Sequence, residues 1–397
     1  MKPIFITILY FVIVNVVAAS DAVIWRQELS CYSNSTCSPG AMAVDGISNE
    51  LIIWGTSERL HTREANFWLW KIDPDGNVTQ KKSLGPVSKY NLLMVGPFGI
   101  KATVKPDTGD IVRLNLDDVN STSLSITGRN MRSRTAKLGI RRKRSETFLL
   151  HDIISCQNDN LLFVGQDRGK DGIVLRTDLA GNIVWEKIFD HKQVDILSSV
   201  ARKPDGEDYY VVGVSASMRD KMLFTDPATV CVLHYDDNGE LKTSDFFEGG
   251  TSPWPTSLPK VICLPSGVVL VVYDKSKDAK AAELYAKAYT GELTPLWEKQ
   301  ILQTQEDSSP AFFDICATPE DRFVLAGKVN FRDLRVYECK ADGTILQTLE
   351  LDGEVGAGGV YVDYLAGKIF VASATKLKEN EKEAKIKLLA LRPYKTN

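Results

Sequence analysis

The sequence predicts an all-β fold, a seven-bladed β-propeller closed by pairing of its N-terminal strand with the C-terminal blade, and three observations predict it. A hairpin signature recurs along the chain, with turn glycines at 181, 239, 291 and 343 separated by 58, 52 and 52 residues. Between hairpins comes a second pair of apolar runs broken by a polar turn. Near the start, VIWRQELS (Val23 to Ser30) is almost repeated far inside the chain as IVWEKIFD (Ile183 to Asp190).

The hairpins are LWKIDPDGNVTQKKSLG (69 to 85), LRTDLAGNIVWEKIFD (175 to 190), LHYDDNGELKTSDFF (233 to 247), KAYTGELTPLWEKQIL (287 to 302) and YECKADGTILQTLEL (337 to 351). In each, glycine supplies the positive φ that a tight turn between two strands needs. The second pairs are MAVDGISNELIIWGT (42 to 56), IISCQNDNLLFVGQ (153 to 166), SVARKPDGEDYYVVGV (199 to 214), VICLPSGVVLVVY (261 to 273) and ICATPEDRFVLAGK (315 to 328). Four short antiparallel strands per unit of about fifty residues is the pattern of a propeller blade. Units begin near residues 41, 92, 150, 197, 258, 312 and 358, the second being the least regular. The last unit supplies GVYVDYLAGKIFVASAT and IKLLALRP and then stops one strand short. Val23 to Leu29 carries the pattern of that missing strand, so strand 22–30 is expected to complete the last blade and leave no open sheet edge. The propeller is expected to fill 20–397 as one domain.

The segment before it reads as an export signal. Met1-Lys2-Pro3 precedes an apolar run from Ile4 to Val17, and Val17 and Ala19 are the small residues a signal peptidase accepts. A signal peptide of residues 1–19 is expected, because the run is shorter than the ~20 residues that span a bilayer. The protein is thus expected to be secreted and extracellular, with no membrane span. Three sequons, at Asn34, Asn77 and Asn120, suit glycosylation in that pathway. There are 7 cysteines, an odd number. Cys31 and Cys37 are placed to bridge the short loop CYSNSTC, whereas Cys156, Cys231, Cys263, Cys316 and Cys339 sit in apolar runs as small hydrophobes. Formal net charge is −3, and loss of 1–19 removes only Lys2, leaving −4, so neither nucleic acid nor an anionic membrane is implied as a partner.

The hairpin TDLAGNIVWEK (Thr177 to Lys187) resembles the tryptophan-docking repeat of quinoprotein-type (PQQ-type) propellers: Asp178, two residues, Gly181, three residues, Trp185. Ala288 to Trp297 is a looser copy. The resemblance implies that Trp185 and Trp297 pack between neighbouring blades. Other copies carry Gln80, Thr243 or Gln347 where tryptophan would stand, and the adjacent cysteine pair of the quinone-dependent dehydrogenases is missing. The resemblance therefore reaches the fold only, and no cofactor is expected.

Catalytic signatures are sparse. The 4 histidines (61, 151, 191, 234) fall in different units without zinc-ligand spacing. Asp73 to Asn77 looks like a calcium loop but lacks the distal glutamate and coincides with a hairpin turn. Neither a Gly-x-Ser-x-Gly elbow nor a phosphate loop occurs. No catalytic or metal-binding residue is therefore singled out, and an enzyme is the less favoured reading.

Turns joining first to second and third to fourth strands share one face of a propeller and are short here. Connections on the other face are long, charged and different in every blade: 56–66, 215–229, 273–283, 374–385 and the inter-blade segments 129–147 and 248–258. Rigid scaffolds carry function on such loops. On that face Trp254 stands between two prolines, and Arg129 to Arg144 holds eight basic residues and no acid. Trp254 and the tetrad Arg141, Arg142, Lys143 and Arg144 are the candidate ligand contacts. The same tetrad precedes Ser145 as a processing-protease site would. Three readings of it stand open: cleavage at Arg144-Ser145, a solvated loop, and attraction of a polyanion. The function expected is an extracellular binding or scaffold module for a protein or glycan, with the extracellular matrix as one setting; the alternative is a secreted hydrolase or lyase with its site on the long-loop face.

Overall fold

The computed structural model describes residues 22–31, 35–59, 65–86, 102–118, 121–128, 132–138, 148–167, 170–219, 223–224, 228–250, 258–275, 283–303, 310–329, 333–351, 359–375 and 384–395. Seven four-stranded antiparallel sheets follow one another around a ring. Six are built from consecutive chain, at 35–86, 102–137, 148–189, 194–248, 260–303 and 310–351; they are numbered here as blades one to six. Blade seven is composite: Tyr361–Leu365, Lys368–Ala374 and Ile386–Leu391 come from the C-terminal end, and Val23–Leu29 is its outer strand. The closing strand runs antiparallel to Ile386–Leu391, with Trp25 opposite Ala390 and Leu29 opposite Ile386. The first strand of each blade touches the first strand of the next all the way round, blade seven meeting blade one. Those strands therefore surround the axis, and the apolar cores lie between blades rather than within them. Among the described residues no helix is long and apolar enough to cross a membrane.

Seams between blades are bolted on the short-turn face. The outer hairpin turns of blades one, three, four and five are first made rigid by their leading polar residue. Asp178 Oδ1 accepts the N–H groups of Ala180 and Asn182 at 2.9 and 2.8 Å, Asp236 those of Asn238 and Glu240 at 2.9 and 2.8 Å, and Thr290 Oγ1 takes the same place in blade five. The indole of the preceding blade then docks on the turn. Trp185 donates Nε1–H to the Asp237 carbonyl at 3.0 Å, Trp297 to that of Ala341 at 3.0 Å, and Trp25 to that of Pro74 at 3.4 Å. Gly239 and Gly343 have φ near 77° and 79°, and a Cβ on either would fall within 2.9 Å of the docked indole. Glycine is required there by both backbone and neighbour. In the blade-five turn, where the sequence pointed to Gly291, the left-handed residue is instead Leu293, with φ near 57° and its N–H on the Thr290 carbonyl. The packing role that the tryptophan repeat implied for Trp185 and Trp297 is the one this geometry gives them.

Two of the four seams without a docked indole among the described residues are fastened by groups that can be named. Gln347, opposite Glu338 where tryptophan stands in other blades, donates Nε2–H to the Arg392 carbonyl at 3.2 Å and to Glu338 Oε2 at 2.9 Å. Arg322 donates Nη1–H to the Tyr394 carbonyl at 2.9 Å and to Glu338 Oε1 at 2.7 Å, and Tyr394 donates its own N–H to Glu338 Oε2 at 2.7 Å. Blade seven has no third-to-fourth hairpin, because the chain ends fall there. Its place is taken by residues 392–395, clamped around a buried carboxylate. At the seam between blades four and five, Tyr210 donates its hydroxyl to the Gly291 carbonyl at 2.9 Å.

Cys31 and Cys37 form a disulfide with Cα atoms 6.0 Å apart. Both are buried in the core shared by blades seven and one, and Cys37 donates its N–H to the Ala384 carbonyl at 2.7 Å. The bridge thus staples the closing strand to the first blade. The other five cysteines are free thiols, four of them buried.

Removal of 22–30 is expected to expose the Ile386–Leu391 edge and convert monomer to aggregate in size-exclusion chromatography, with a clear drop in melting temperature. Monomer of unchanged melting temperature would contradict closure as a structural requirement. Trp297→Ala should cost about 2–3 kcal/mol in urea unfolding, the loss of a half-buried indole and its hydrogen bond.

Candidate functional site

The axis of the ring and the long-loop face are the two places where this architecture gathers side chains from several blades. Around the axis, first strands expose one edge with no further strand to pair it, so their N–H groups need other acceptors. Side chains supply them. Asp152 Oδ2 accepts the Val200 N–H at 3.0 Å, Ser199 Oγ that of Val261 at 3.3 Å, and Asp314 Oδ2 that of Val362 at 3.2 Å. Each bond joins one first strand to the next. Lys260 holds the corresponding place in blade five, its Nζ 3.6 Å from Asp314 Oδ1. Burial opposes the ammonium, yet Asp314 and Asp152 outweigh it and hold the lysine above its ordinary value. For Asp314 burial wins over the pull of Lys260 and the carboxyl is raised. Asp363, two residues beyond Tyr361 on the first strand of blade seven, accepts the Tyr364 N–H at 2.8 Å. Burial, with the like charge of Asp314 adding to it, pushes its carboxyl up to about 7.

The axis therefore brings together Asp152, Ser199, Lys260, Asp314 and Asp363, residues that no motif in the sequence had marked. Three carboxylates and one ammonium converge, but two of the carboxylates, Asp152 and Asp314, act as acceptors for the neighbouring strand. Among the described residues no group of three or more histidine, cysteine or acidic side chains is arranged to hold a metal ion. The polar lining is thus explained first as inter-blade hydrogen bonding, with Asp363 as the group left least engaged.

The thiols offer no reactive alternative. Burial raises Cys156 and Cys263 to about 11, and Cys231, Cys316 and Cys339 are also driven up. Thiolate, the nucleophilic form, is scarce at neutral pH for all five.

Of the residues picked out from sequence, Trp254, Arg141, Arg142, Lys143, Arg144, Ser145, Asn34 and Asn120 lie outside the described residues. The basic tetrad falls between Leu138, at the end of blade two, and Phe148, which opens blade three. Asn77 is described. It is exposed at the outer turn of blade one, where Asp73 Oδ1 accepts its N–H at 2.8 Å and Asp73 Oδ2 accepts its side-chain Nδ2–H at 2.8 Å. Those bonds from Asn77 hold the Asp73 carboxyl below its usual range. Asp73 to Asn77 is a turn closed on itself, as the hairpin reading of that segment expected.

Several solved structures resemble the chain. The WD40 domain of Toxoplasma gondii coronin matches with a TM-score of 0.52 at 10% identity, over 94% of this chain and 89% of that one. The β-propeller domain of the Trilobed protease from Pyrococcus furiosus, described as having an open velcro topology, matches at 0.51 and 10%, over 89% and 93%. Sqt1 of Chaetomium thermophilum, solved bound to the N-terminus of ribosomal protein L10, matches at 0.50 and 12%, over 92% and 98%. At these identities the likeness carries the fold, a β-propeller, and nothing finer. No protein-family model and no curated protein matches the chain.

Asp363→Asn isolates the cost of the axial charge. A carboxyl raised in the folded state stabilises fully below its unfolded value of 3.8 and loses that contribution as pH rises through about 7. The variant should therefore match the wild type near pH 4 and be more stable by about 1–2 kcal/mol at pH 8 in urea unfolding. An equal stability difference at both pH values would contradict the raised carboxyl.

Proposed function

We propose that the protein is an exported binding or scaffold propeller, presenting its long-loop face to an extracellular protein or glycan. The observation that carries this reading is the division between faces. On the short-turn face the polar groups of the turns are largely consumed by the turns and seams themselves, as Asp178, Asp236, Trp185, Trp297 and Glu338 illustrate. On the opposite face the connections between second and third strands differ: 60–64, 217–228, 275–282 and 375–385 are long in blades one, four, five and seven, whereas 119–120, 168–170 and 330–332 in blades two, three and six are short, contrary to the expectation of long loops in every blade. A rigid frame with one face of repeated turns and one diversified face suits recognition better than a fixed reaction.

Export is supported by the leader pattern of 1–19, by the sequons Asn34, Asn77 and Asn120, and by a disulfide, which persists in oxidising compartments. Sqt1, of the same fold, is solved with a peptide terminus of a protein bound, which supports a protein partner. Trp254 and Arg141 to Arg144 are assigned to the binding face, the tetrad attracting an acidic glycan through a local field that the net charge hides. Tryptophan docking supports kinship with quinoprotein-like repeats as a structural device, without their cofactor. The hydrolase or lyase reading is favoured by one observation, Asp363 beside Asp314 at the axis.

Expression of the full chain in animal cells tests export and processing together. Protein is expected in the medium, with a mobility change on enzymatic deglycosylation that Asn77→Gln reduces by one step; retention inside the cells would overturn the reading. A single full-length band excludes cleavage at Arg144-Ser145. Replacement of Arg141 to Arg144 by alanine should move elution from heparin to markedly lower salt, and unchanged elution would remove the tetrad as the polyanion contact. A glycan and protein array probed with the secreted chain then identifies the partner class.

A further inference from the structure

The seam between blades four and five departs from its neighbours in a way that makes it sensitive to a proton. In blades three and five a tryptophan of the outer strand stands opposite a third-strand residue, Trp185 opposite Arg176 and Trp297 opposite Ala288, and docks on the next blade's turn. In blade four that outer position is Thr243, opposite His234. The space an indole would fill is taken by two aromatic rings from inner strands of the sheet: the His234 imidazole lies against the Tyr210 phenol, centroids 4.8 Å apart, and Tyr210 reaches the Gly291 carbonyl. His234 is 5% exposed and Tyr210 0%.

We propose that His234 is an acid-operated release in this joint: protonation of its imidazole unseats Tyr210 from the Gly291 carbonyl and loosens blade four from blade five while the indole-docked seams hold. The groups facing the imidazole come from every element around it. Asp208 Oδ2 lies 3.3 Å from Nε2 and its other oxygen is 2.9 Å from Lys242 Nζ. Lys203, on the same turn as Asp208, adds a further positive charge. Asp236 acts on Lys242 at the outer turn, and Glu292 and Cys263 face Tyr210 from blade five. Among the described residues neither ring nitrogen has a hydrogen-bond partner of normal geometry: Nδ1 faces no acceptor, and Nε2 has only the Asp208 carboxylate at 3.3 Å. A second proton would thus go into a buried site without an acceptor. Burial first, then Lys242 and Lys203, push the imidazole below its ordinary value, and Asp208 only partly restores it. Asp208 itself is held low, its bonds to Lys242 and His234 outweighing burial, so it stays ionised as the imidazole titrates.

The sign follows. A histidine depressed in the folded state contributes stability that is complete above its unfolded value of 6.5 and is lost as pH falls through the lower, folded value. His151, the other buried imidazole among the described residues, lies on the first strand of blade three, away from this joint.

Hydrogen exchange of the intact chain reads the joint directly, through the Leu293 N–H bonded to the Thr290 carbonyl and the Glu292 and Thr294 N–H groups bonded to Thr290 Oγ1. Between pH 7.5 and pH 5, corrected for intrinsic rates, protection of these amides should fall at least fivefold more than that of Gly239 and Gly343 at the indole-docked turns. His234→Phe, which keeps an aromatic ring under Tyr210, should abolish the difference. Asp208→Asn removes the group that supports the proton and should shift the onset of the loss to lower pH. Equal loss at all turns, or a loss in His234→Phe as large as in the wild type, overturns the proposal. Where a variant misfolds, direct titration of the His234 ring by NMR decides: a midpoint at or above 6.5 overturns it too.

Discussion

The whole assembly depends on one antiparallel pairing, that of Val23–Leu29 with Ile386–Leu391, because that pairing is what completes the last blade and closes this ring. Its cores lie between blades, so each blade is half of two cores and none is complete alone. Opening any seam exposes two apolar faces at once. The seam most at risk is where the chain begins and ends, since no covalent link runs between the third and fourth strands of blade seven. The sequence concentrates reinforcement there. The Cys31–Cys37 bridge ties the closing strand to blade one, Trp25 docks on the turn of blade one, and Lys368 reaches the same Pro74 carbonyl at 2.6 Å. On the other side the terminal residues 392–395 are held on Glu338.

That arrangement explains why the short-turn face has little left to offer a ligand. Its turns must be rigid to act as sockets, and rigidity is obtained by aiming their polar groups inward at their own N–H groups and at the neighbouring blade. The axial acids follow the same logic. A first strand with an unpaired edge has N–H groups to satisfy, and Asp152, Ser199 and Asp314 satisfy them across the seam. At Asp363, which accepts only the N–H of its own neighbour Tyr364, burial outweighs that bond and its proton affinity rises, as it also does at Asp314. A polar axis is a consequence of building a ring from open-edged sheets before it is a sign of chemistry.

How much of this could be read from sequence differs by element, and the reason is locality. The hairpins were legible because a turn with a leading polar residue and a nearby glycine recurs at short offsets, and each residue does its work within its own turn or on the next one; the glycine position was misread only in blade five, where Leu293 holds it. The closing strand was legible because its repeat mate, Ile183 to Asp190, carries the same tryptophan. The disulfide between Cys31 and Cys37 spans six positions and needed no long-range information. The axial bonds were illegible: their partners lie 48 to 62 residues apart, and the recurring position is filled by Asp, Ser or Lys, which share no side-chain chemistry beyond polarity. The tail clamp was hidden for a similar reason, since Gln347 reads as a lost tryptophan until Arg392 and Tyr394 are seen to stand where a turn would be.

Substitution at a repeated position is therefore more informative than the repeat. Gln347 and Thr243 both replace a docking tryptophan, and each marks a seam bolted by other means: a carboxylate clamp in one case, a tyrosine on a histidine in the other. An indole seam is held by apolar area and the indole hydrogen bond, joined by ion pairs such as Arg176 with Asp237 and Lys368 with Asp75, and its docking side chain is not a titrating imidazole. A seam built from ionisable groups inherits their titration. Departures from the consensus thus distribute pH sensitivity unevenly around a ring whose blades are otherwise alike, and they do so without altering its shape.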